Sequence, residues 1–215
     1  MGVWDLAIRN IADPVARQLA ARGQIRTFAR GDLLIREHDR SDSVYVLLAG
    51  NVQVFVADAR GREMILAHYR ASDFVGEMAL DGKPRSASVR TLDETVCSVV
   101  ARELLLDMIR ANPELALHLY ATIIARARST TGSLKSLALM DVYGRVARLL
   151  REQEYVPGED GLLWSRERLT QQEIAKRVGA SRDMISRIFK DLRAGGYIAT
   201  RDRRITILRR PPARW

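Results

Sequence analysis

The sequence predicts an α+β chain with a β-roll of the jelly-roll type first, a long helix after it, and a small helical module closed by a β-hairpin. Three observations carry this. Short β-rich runs separated by turn residues fill Gln24 to Val100, helical texture continues from Pro113 to about Met140, and the last third reads as helix, Gly-containing turn, helix and hairpin. A chain of 215 residues is long enough for one large or two small domains. An apolar share of 47% with charges of both signs marks it as globular rather than disordered.

In chain order, Trp4, Ile8, Ile11, Val15 and Leu19 recur at helical spacing and predict one amphipathic helix over residues 4–22. Next, FARGD, HDRSDS, ADARGRE, YRASDF and LDGKP separate the runs VYVLLAG, NVQVFVA, EMILAHY, ASVRTL and TVCSVV. Short strands at such regular spacing suit a small barrel or jelly roll. After Pro113, Ala116, Tyr120, Ile123, Ala127, Thr130, Leu134 and Leu137 alternate steps of four and three, the a/d seam of a helix that pairs with its own copy in a homodimer. Thr130, Thr131 and Gly132 interrupt the apolar stripe, and a mid-helix glycine costs about 1 kcal/mol relative to alanine. LMDVYGRVARLLREQEYV starts a new helix near Asp141, which is the expected hinge; PGEDG is a loop.

Several function classes are excluded or disfavoured. The longest apolar runs fall far short of the ~20 residues of a membrane span. MGVWDLAIRN has no basic-then-apolar signal layout, so a cytoplasmic protein without a membrane partner is expected. The single cysteine, Cys97, allows neither an internal disulfide nor a cysteine-ligated cluster within one chain, and its place in VCSVV reads as a buried small hydrophobe. His38, His68 and His118 lie far apart without metal-ligand spacing. With no P-loop, triad or metal set, no catalytic and no metal residue is assigned, and the expected role is not enzymatic.

The net charge of +9 is unevenly spread. From Tyr143 to Trp215 there are 17 Arg and Lys against 9 Asp and Glu, which leaves 18 against 17 in the rest. The excess therefore sits in the last third, which points to a polyanionic partner there. The same third holds LTQQEIAKRVGASRDMISRIFKDLRAGGYI. Thr170 and Glu173 form a capping box, Gly179 permits a tight turn, and Ser181 caps a second helix. That helix buries Ile185, Ile188, Phe189 and Leu192 and leaves Arg182, Asp183, Ser186, Arg187 and Lys190 outside.

This is a helix-turn-helix, whose exposed N-terminal residues reach base edges of double-stranded DNA in the major groove. Arg182 and Arg187 suit bidentate bonds to guanine, and Asp183 suits a cytosine amine. Ser186 and Lys190 suit phosphate or water contacts. Thr170, Gln171 and Ser181, at the two helix starts, complete the candidate DNA-contacting set. YIATRDRRITILRR then reads as a wing with its charged turn at 201–204, facing the adjoining phosphates.

In the β-rich half, FVGEMALDGKPRSASV joins a glycine–glutamate pair to an Arg-Ser element. Gly76 lets backbone N–H groups approach a ligand. Glu77 can accept from a ribose hydroxyl, while Arg85 offers a planar fork to a phosphate and Ser86 a hydroxyl. Met78 and Ala87 complete the candidate ligand-binding stretch. Such a set suits a cyclic mononucleotide.

From about Phe28 to Leu208 the chain resembles the CRP/FNR family of transcription regulators, in its cyclic-AMP receptor branch. The resemblance rests on EMILAHYRASDFVGEMAL, the RSAS element, TT in the long helix, LMDVYGRVARLL and QEIAKRVGASRDMISRIFKDL, all in the family's order. It implies a cyclic-nucleotide-binding β-roll over 1–110, a dimerisation helix and hinge over 111–141, and a winged helix-turn-helix over 142–215. It further implies a homodimer on a pseudo-palindromic operator, a partnership with RNA polymerase, and no cofactor beyond the effector.

The implied effector is cyclic AMP, with cyclic di-GMP or cyclic GMP as alternatives and ligand-independent binding as another. A cyclic-nucleotide regulatory subunit of an enzyme is the alternative from another class. By the resemblance, Glu77 holds the ribose 2′-hydroxyl, and Arg85 and Ser86 hold the cyclic phosphate. Thr130 reads the base, Thr131 reaches the base bound in the partner, and Arg126 lies near the pocket. The chain departs from the family at Asp183, usually glutamate, and at Ala67, a serine in the enteric receptor. Its Glu77–Arg85 loop is also shorter.

Overall fold

The computed structural model describes residues 4–211. The chain divides into two units, one ending at Arg128 and the other beginning at Ser129.

In the first unit the expected helix over 4–22 is two helices, α1 (Asp5–Arg9) and α2 (Pro14–Ala20). Proline at the first position of α2 has no N–H to donate, and extended Asp13 accepts the Ala16 N–H at 2.7 Å. The break preserves the apolar period: Ile11, Val15 and Leu19 are all buried in one core. Eight strands follow: β1 (Gln24–Phe28), β2 (Leu33–Ile35), β3 (Val44–Ala49), β4 (Asn51–Ala57), β5 (Glu63–Arg70), β6 (Phe74–Val75), β7 (Ser88–Thr91) and β8 (Thr95–Val100). They form two antiparallel four-stranded sheets, ordered β1-β8-β3-β6 and β2-β7-β4-β5.

Strand β3 shows why the roll holds together. Its side chains alternate between faces: Val44, Val46 and Leu48 join α1 and α2 in one core, whereas Tyr45 and Leu47 enter a second core with Val52, Val75, Val89 and Cys97. A strand covered on both faces needs an unbroken apolar run, and VYVLLA supplies one. Burial pushes the Cys97 thiol up to about 12, so it stays protonated.

Helix α3 (Arg102–Ala111) fills a stretch for which the sequence patterns predicted no element, and α4 (Pro113–Leu139) runs over the expected long-helix range. Leu115 and Leu119 anchor α4 in the first core. Its predicted seam is turned the other way: Tyr120 is 62% and Leu134 64% exposed.

The second unit continues with α5 (Val142–Glu152), β9 (Tyr155–Pro157), β10 (Leu163–Ser165), α6 (Gln171–Val178), α7 (Arg182–Ala194), β11 (Ile198–Arg201) and β12 (Arg204–Ile207). Asp141 caps α5 by accepting the Gly144 N–H at 2.6 Å. PGEDG, expected as a loop, connects the paired strands β9 and β10. Val146 and Leu150 of α5 share one core with Ile174, Ile185, Phe189, Leu192, Ile198 and Ile205. Strands β11 and β12 pair Arg201 with Arg204 across a two-residue turn. Its residues Asp202 and Arg203 both have positive φ, 50° and 65°. The Leu169 N–H donates to the Arg203 carbonyl at 2.8 Å and pins the wing tip to the start of α6.

Candidate nucleotide pocket and nucleic-acid interface

The stretch from Gly76 to Ala87 forms one cassette. Gly76 follows β6 with φ +93°, a conformation that β-carbon sterics make costly for other residues. Glu77 opens a short 3-10 turn (Glu77–Asp81) and is 7% exposed.

Arg85 is 4% exposed, and each of its three guanidinium nitrogens donates one hydrogen bond. Its Nε donates to Ser41 Oγ at 2.9 Å, Nη1 to the Gly76 carbonyl at 2.8 Å and Nη2 to the Ser43 carbonyl at 2.7 Å. Its backbone is held as well: Arg85 N–H donates to the Asp39 carbonyl, and its carbonyl accepts from His38 N–H. Burial draws the guanidinium below its ordinary pKa, opposed by the negative charges of nearby Asp42 and Glu77 and by Tyr45. The three acceptors hydrogen-bonded to the Arg85 side chain among the described residues are neutral, so an anion placed there would gain more from the fork than those partners do.

The Glu77 carboxylate is paired with Arg126 of α4, Nη1 to Oε2, at 2.8 Å. The same guanidinium donates to the Phe74 carbonyl at 2.6 Å and lies over the Tyr69 and Phe74 rings at 4.4 and 4.9 Å. Burial raises the Tyr69 hydroxyl above its usual pKa, so the ring that stacks on Arg126 is neutral. The structure therefore brings Gly76, Glu77, Arg85 and Arg126 together. Ser86 is exposed, and its hydroxyl donates to Met78 Sδ at 3.2 Å, a weak acceptor; Ala87 is half-buried. Thr130 and Thr131 are exposed further along α4 and belong to the second unit.

Sequence reasoning missed Ser41, Ser43, Tyr69 and Phe74. The two serines lie more than 40 residues before Arg85 and carry no motif of their own. Tyr69 read simply as the end of a strand run, and Phe74 as the end of the turn cluster YRASDF.

In the second unit the capping box forms as expected. The Glu173 N–H donates to Thr170 Oγ1 at 3.1 Å, and the Thr170 N–H donates to Glu173 Oε2 at 2.6 Å. Gly179 takes the left-handed conformation at the end of α6 (φ 64°), and Ser181 caps α7 by accepting from Met184 N–H. Arg182, Asp183, Ser186, Arg187 and Lys190 are all exposed on α7, while Gln171 is half-buried at the start of α6.

A cavity of about 360 Å³ separates these helix starts from the wing; Thr170, Gln171, Arg182, Arg193 and Arg203 line it. Arg201, in the charged turn expected to face DNA, also lines this cavity and has two partners of its own. It stacks on the Trp164 indole at 4.8 Å and pairs with Asp160 at 3.3 Å. Asp160 also accepts the Trp164 Nε1–H at 3.0 Å, which leads the causes that hold its carboxyl below the usual range. The wing is thus braced by the β9–β10 hairpin. A long-range aromatic–arginine pair of this kind leaves no local signature.

Comparison with known proteins decides the assignment. Residues 25–112 match the cyclic nucleotide-binding domain and residues 144–211 the Crp-like helix-turn-helix domain. The chain is 30% identical over 203 residues to the cAMP-activated global transcriptional regulator CRP of Escherichia coli, covering 91% of this chain and 94% of that one.

The chain belongs to the CRP/FNR family.

A CRP-like cAMP-activated global transcriptional regulator of Mycobacterium tuberculosis is 32% identical over 183 residues, with 84% of this chain and 82% of that one covered. Among solved structures, the c-di-GMP responsive global regulator CLP of Xanthomonas campestris superposes with a TM-score of 0.78. It is 23% identical and covers 92% of this chain and 100% of that one, a likeness of fold. This CRP/FNR chain is a DNA-binding transcription regulator with a cyclic-nucleotide-binding domain ahead of its helix-turn-helix. No helix among the described residues is long and apolar enough to cross a membrane.

Proposed function

We propose that the chain acts as a homodimer whose binding to a pseudo-palindromic operator is governed by cyclic AMP. The observation that carries the effector reading is the pairing of two buried groups in one cassette. Arg85 is a fork held by three neutral acceptors, and Glu77 is a carboxylate a few residues away. A cyclic phosphate takes the Arg85 donors in exchange for those acceptors, Ser86 adds a hydroxyl, and Glu77 accepts from the ribose 2′-hydroxyl. Relatives named as cAMP-activated support this choice of nucleotide.

The exposed apolar residues of α4, Tyr120, Ile123 and Leu134, supply the dimer seam. Thr130 and Thr131 interrupt that seam and read the base, the first in its own chain and the second in the partner. Differential binding to two packings of the helix pair then shifts the hinge near Asp141. Two reading helices spaced by one DNA turn require half-sites roughly 10 base pairs apart, centre to centre. Residues 1–110 serve as sensor, 111–141 as coupling helix and 142–215 as DNA reader, and RNA polymerase is the proposed further partner.

The test is operator binding at fixed salt with and without cyclic AMP, cyclic GMP and cyclic di-GMP, alongside calorimetry of each nucleotide. Fixed salt matters because phosphate contacts alone move affinity by orders of magnitude. Cyclic AMP is expected to bind and to change operator affinity. Binding of cyclic di-GMP alone would transfer the role to that effector. Operator binding indifferent to all three nucleotides would remove the sensor assignment.

A further inference from the structure

One guanidinium in the second unit joins the ends of two helices. Arg145, in the first turn of α5, donates from Nη1 to the Met140 carbonyl at 2.8 Å, just past the end of α4. Its Nε donates to the Val178 carbonyl at 2.7 Å, and Nη2 to the Gly179 carbonyl at 3.3 Å, both at the end of α6. Carbonyls in a last helical turn have no intrahelical donor and carry the negative end of the helix dipole. A planar fork with five donors serves acceptors on two elements at once, which a single ammonium does not.

The neighbours make this clamp directional. Asp141 fixes the start of α5 by accepting from Gly144 N–H. Arg148, one turn further, donates from Nη1 to the Gly132 carbonyl of α4 at 3.2 Å while its Nε pairs with Glu152. Rotation of α5 against the end of α4 therefore breaks bonds at both Met140 and Gly132. Movement of α6 against α5 breaks those at Val178 and Gly179. Only Gly179, Ala180 and Ser181 separate α6 from the reading helix α7. We infer that Arg145 is a positioning residue that carries the direction of the last turn of the long helix to the reading helix, and so sets the half-site spacing that the dimer accepts. The spacing part rests on the dimeric reading proposed above.

The test compares wild type with Arg145→Lys and Arg145→Ala. Nitroxide labels are placed at Ala138 and Lys190, both exposed, and labelled chains are diluted with unlabelled ones to report distances within one chain. Cys97, buried with its thiol raised to about 12, is expected to stay unlabelled in the folded chain. Wild type is expected to give one narrow distance and the folded variants a distribution roughly twice as broad. Distributions of equal width overturn the inference, and Arg145→Lys keeps the test open should the alanine variant fail to fold.

A second arm measures binding at fixed salt to operators whose half-sites are moved by one base pair. Wild type is expected to lose about ten-fold in affinity and the variants about three-fold or less, because loosened reading heads tolerate the changed phase. Broad distances with an unchanged spacing penalty would leave the clamp standing and overturn its role in spacing. A wild type that binds no operator of the series would sink the dimeric reading, while the label distances still judge the clamp.

Discussion

Replacing Gly76 by alanine tests the cassette most directly, because strain and steric overlap can be separated there. At φ +93° an alanine β-carbon would lie 2.8 Å from the Ser43 carbonyl oxygen, 3.0 Å from Arg85 Nη1 and 3.1 Å from Ile35 Cδ1. Gly82, in the same loop at φ +73°, has nothing within 4 Å of such an atom. At Gly82 the cost is conformational alone: about 1–2 kcal/mol for the left-handed region, offset by about 0.4–1 kcal/mol from a less flexible unfolded chain.

At Gly76 the same balance applies, and overlap adds about 1–3 kcal/mol, since the Ser43 oxygen belongs to the backbone and cannot swing aside. The expected totals are about 2–4 kcal/mol for Gly76→Ala and about 1 kcal/mol for Gly82→Ala. In a chain of this size about 1 kcal/mol moves Tm by roughly 2–4 °C, so parallel thermal melts by circular dichroism resolve the difference. Nucleotide affinity, read by calorimetry, should fall only in Gly76→Ala, because the displaced Arg85 loses its bond to the residue-76 carbonyl. Equal melting temperatures for the two variants would refute the close approach on which the cassette is built.

Arg85→Lys, which keeps the charge and loses the fork, should weaken cyclic-nucleotide binding by about a hundredfold in calorimetry; unchanged affinity would end the phosphate assignment. On the proposed reading surface, Arg187→Ala should cost about 1–3 kcal/mol of operator affinity and relax the preference at one base pair, whereas Lys190→Ala should weaken all sequences alike and lower the salt slope by about one. Cys97 should resist an aromatic disulfide reagent until the chain unfolds. Because its folded pKa lies above the ordinary value of 9.0, its contribution to stability is complete below that pH and fades as pH climbs toward about 12. Asp160 shows the opposite sign: its carboxyl is depressed, so the brace it gives the wing is present above the ordinary value of 3.8 and lost as pH falls through the folded pKa. Trp164 fluorescence, with Trp4 and Trp215 replaced by phenylalanine, should show that acid step and lose it in Asp160→Asn.

The elements most legible in the sequence were those whose signal is local. Turn clusters marked β3, β4, β5, β7 and β8 of the roll but not the short β1, β2 and β6, and a Thr-x-x-Glu box followed by Gly179 and Ser181 marked both helices of the reading module. The two-helix N-terminus was hidden because the Asp13–Pro14 break leaves the spacing of Ile11, Val15 and Leu19 intact. Helix α3 escaped because it follows β8 almost at once and its N-cap residue, Ala101, has no side-chain oxygen to mark a helix start. Within the candidate site, Gly76, Glu77 and Arg85 were legible as neighbours in sequence. What holds Arg85 was not, because Ser41 and Ser43 reach it from a distant turn and serines there look like any surface loop. Arg145 shows the same limit: nothing in VYGRVARLL states that its fork spans two helix ends.

The wing tip carries one more consequence. A two-residue hairpin turn with both φ values positive is the conformation for which Asn-Gly is best suited, yet this chain places Asp202 and Arg203 there. Asparagine or aspartate tolerates that geometry, whereas arginine bears about 1–2 kcal/mol of backbone strain. The tip is therefore tuned away from its own folding optimum in favour of a cation carried at the end of a short hairpin whose backbone is pinned. Such a compromise, local stability given up for a charge at the hairpin tip, is expected of a surface kept for contact rather than for cohesion.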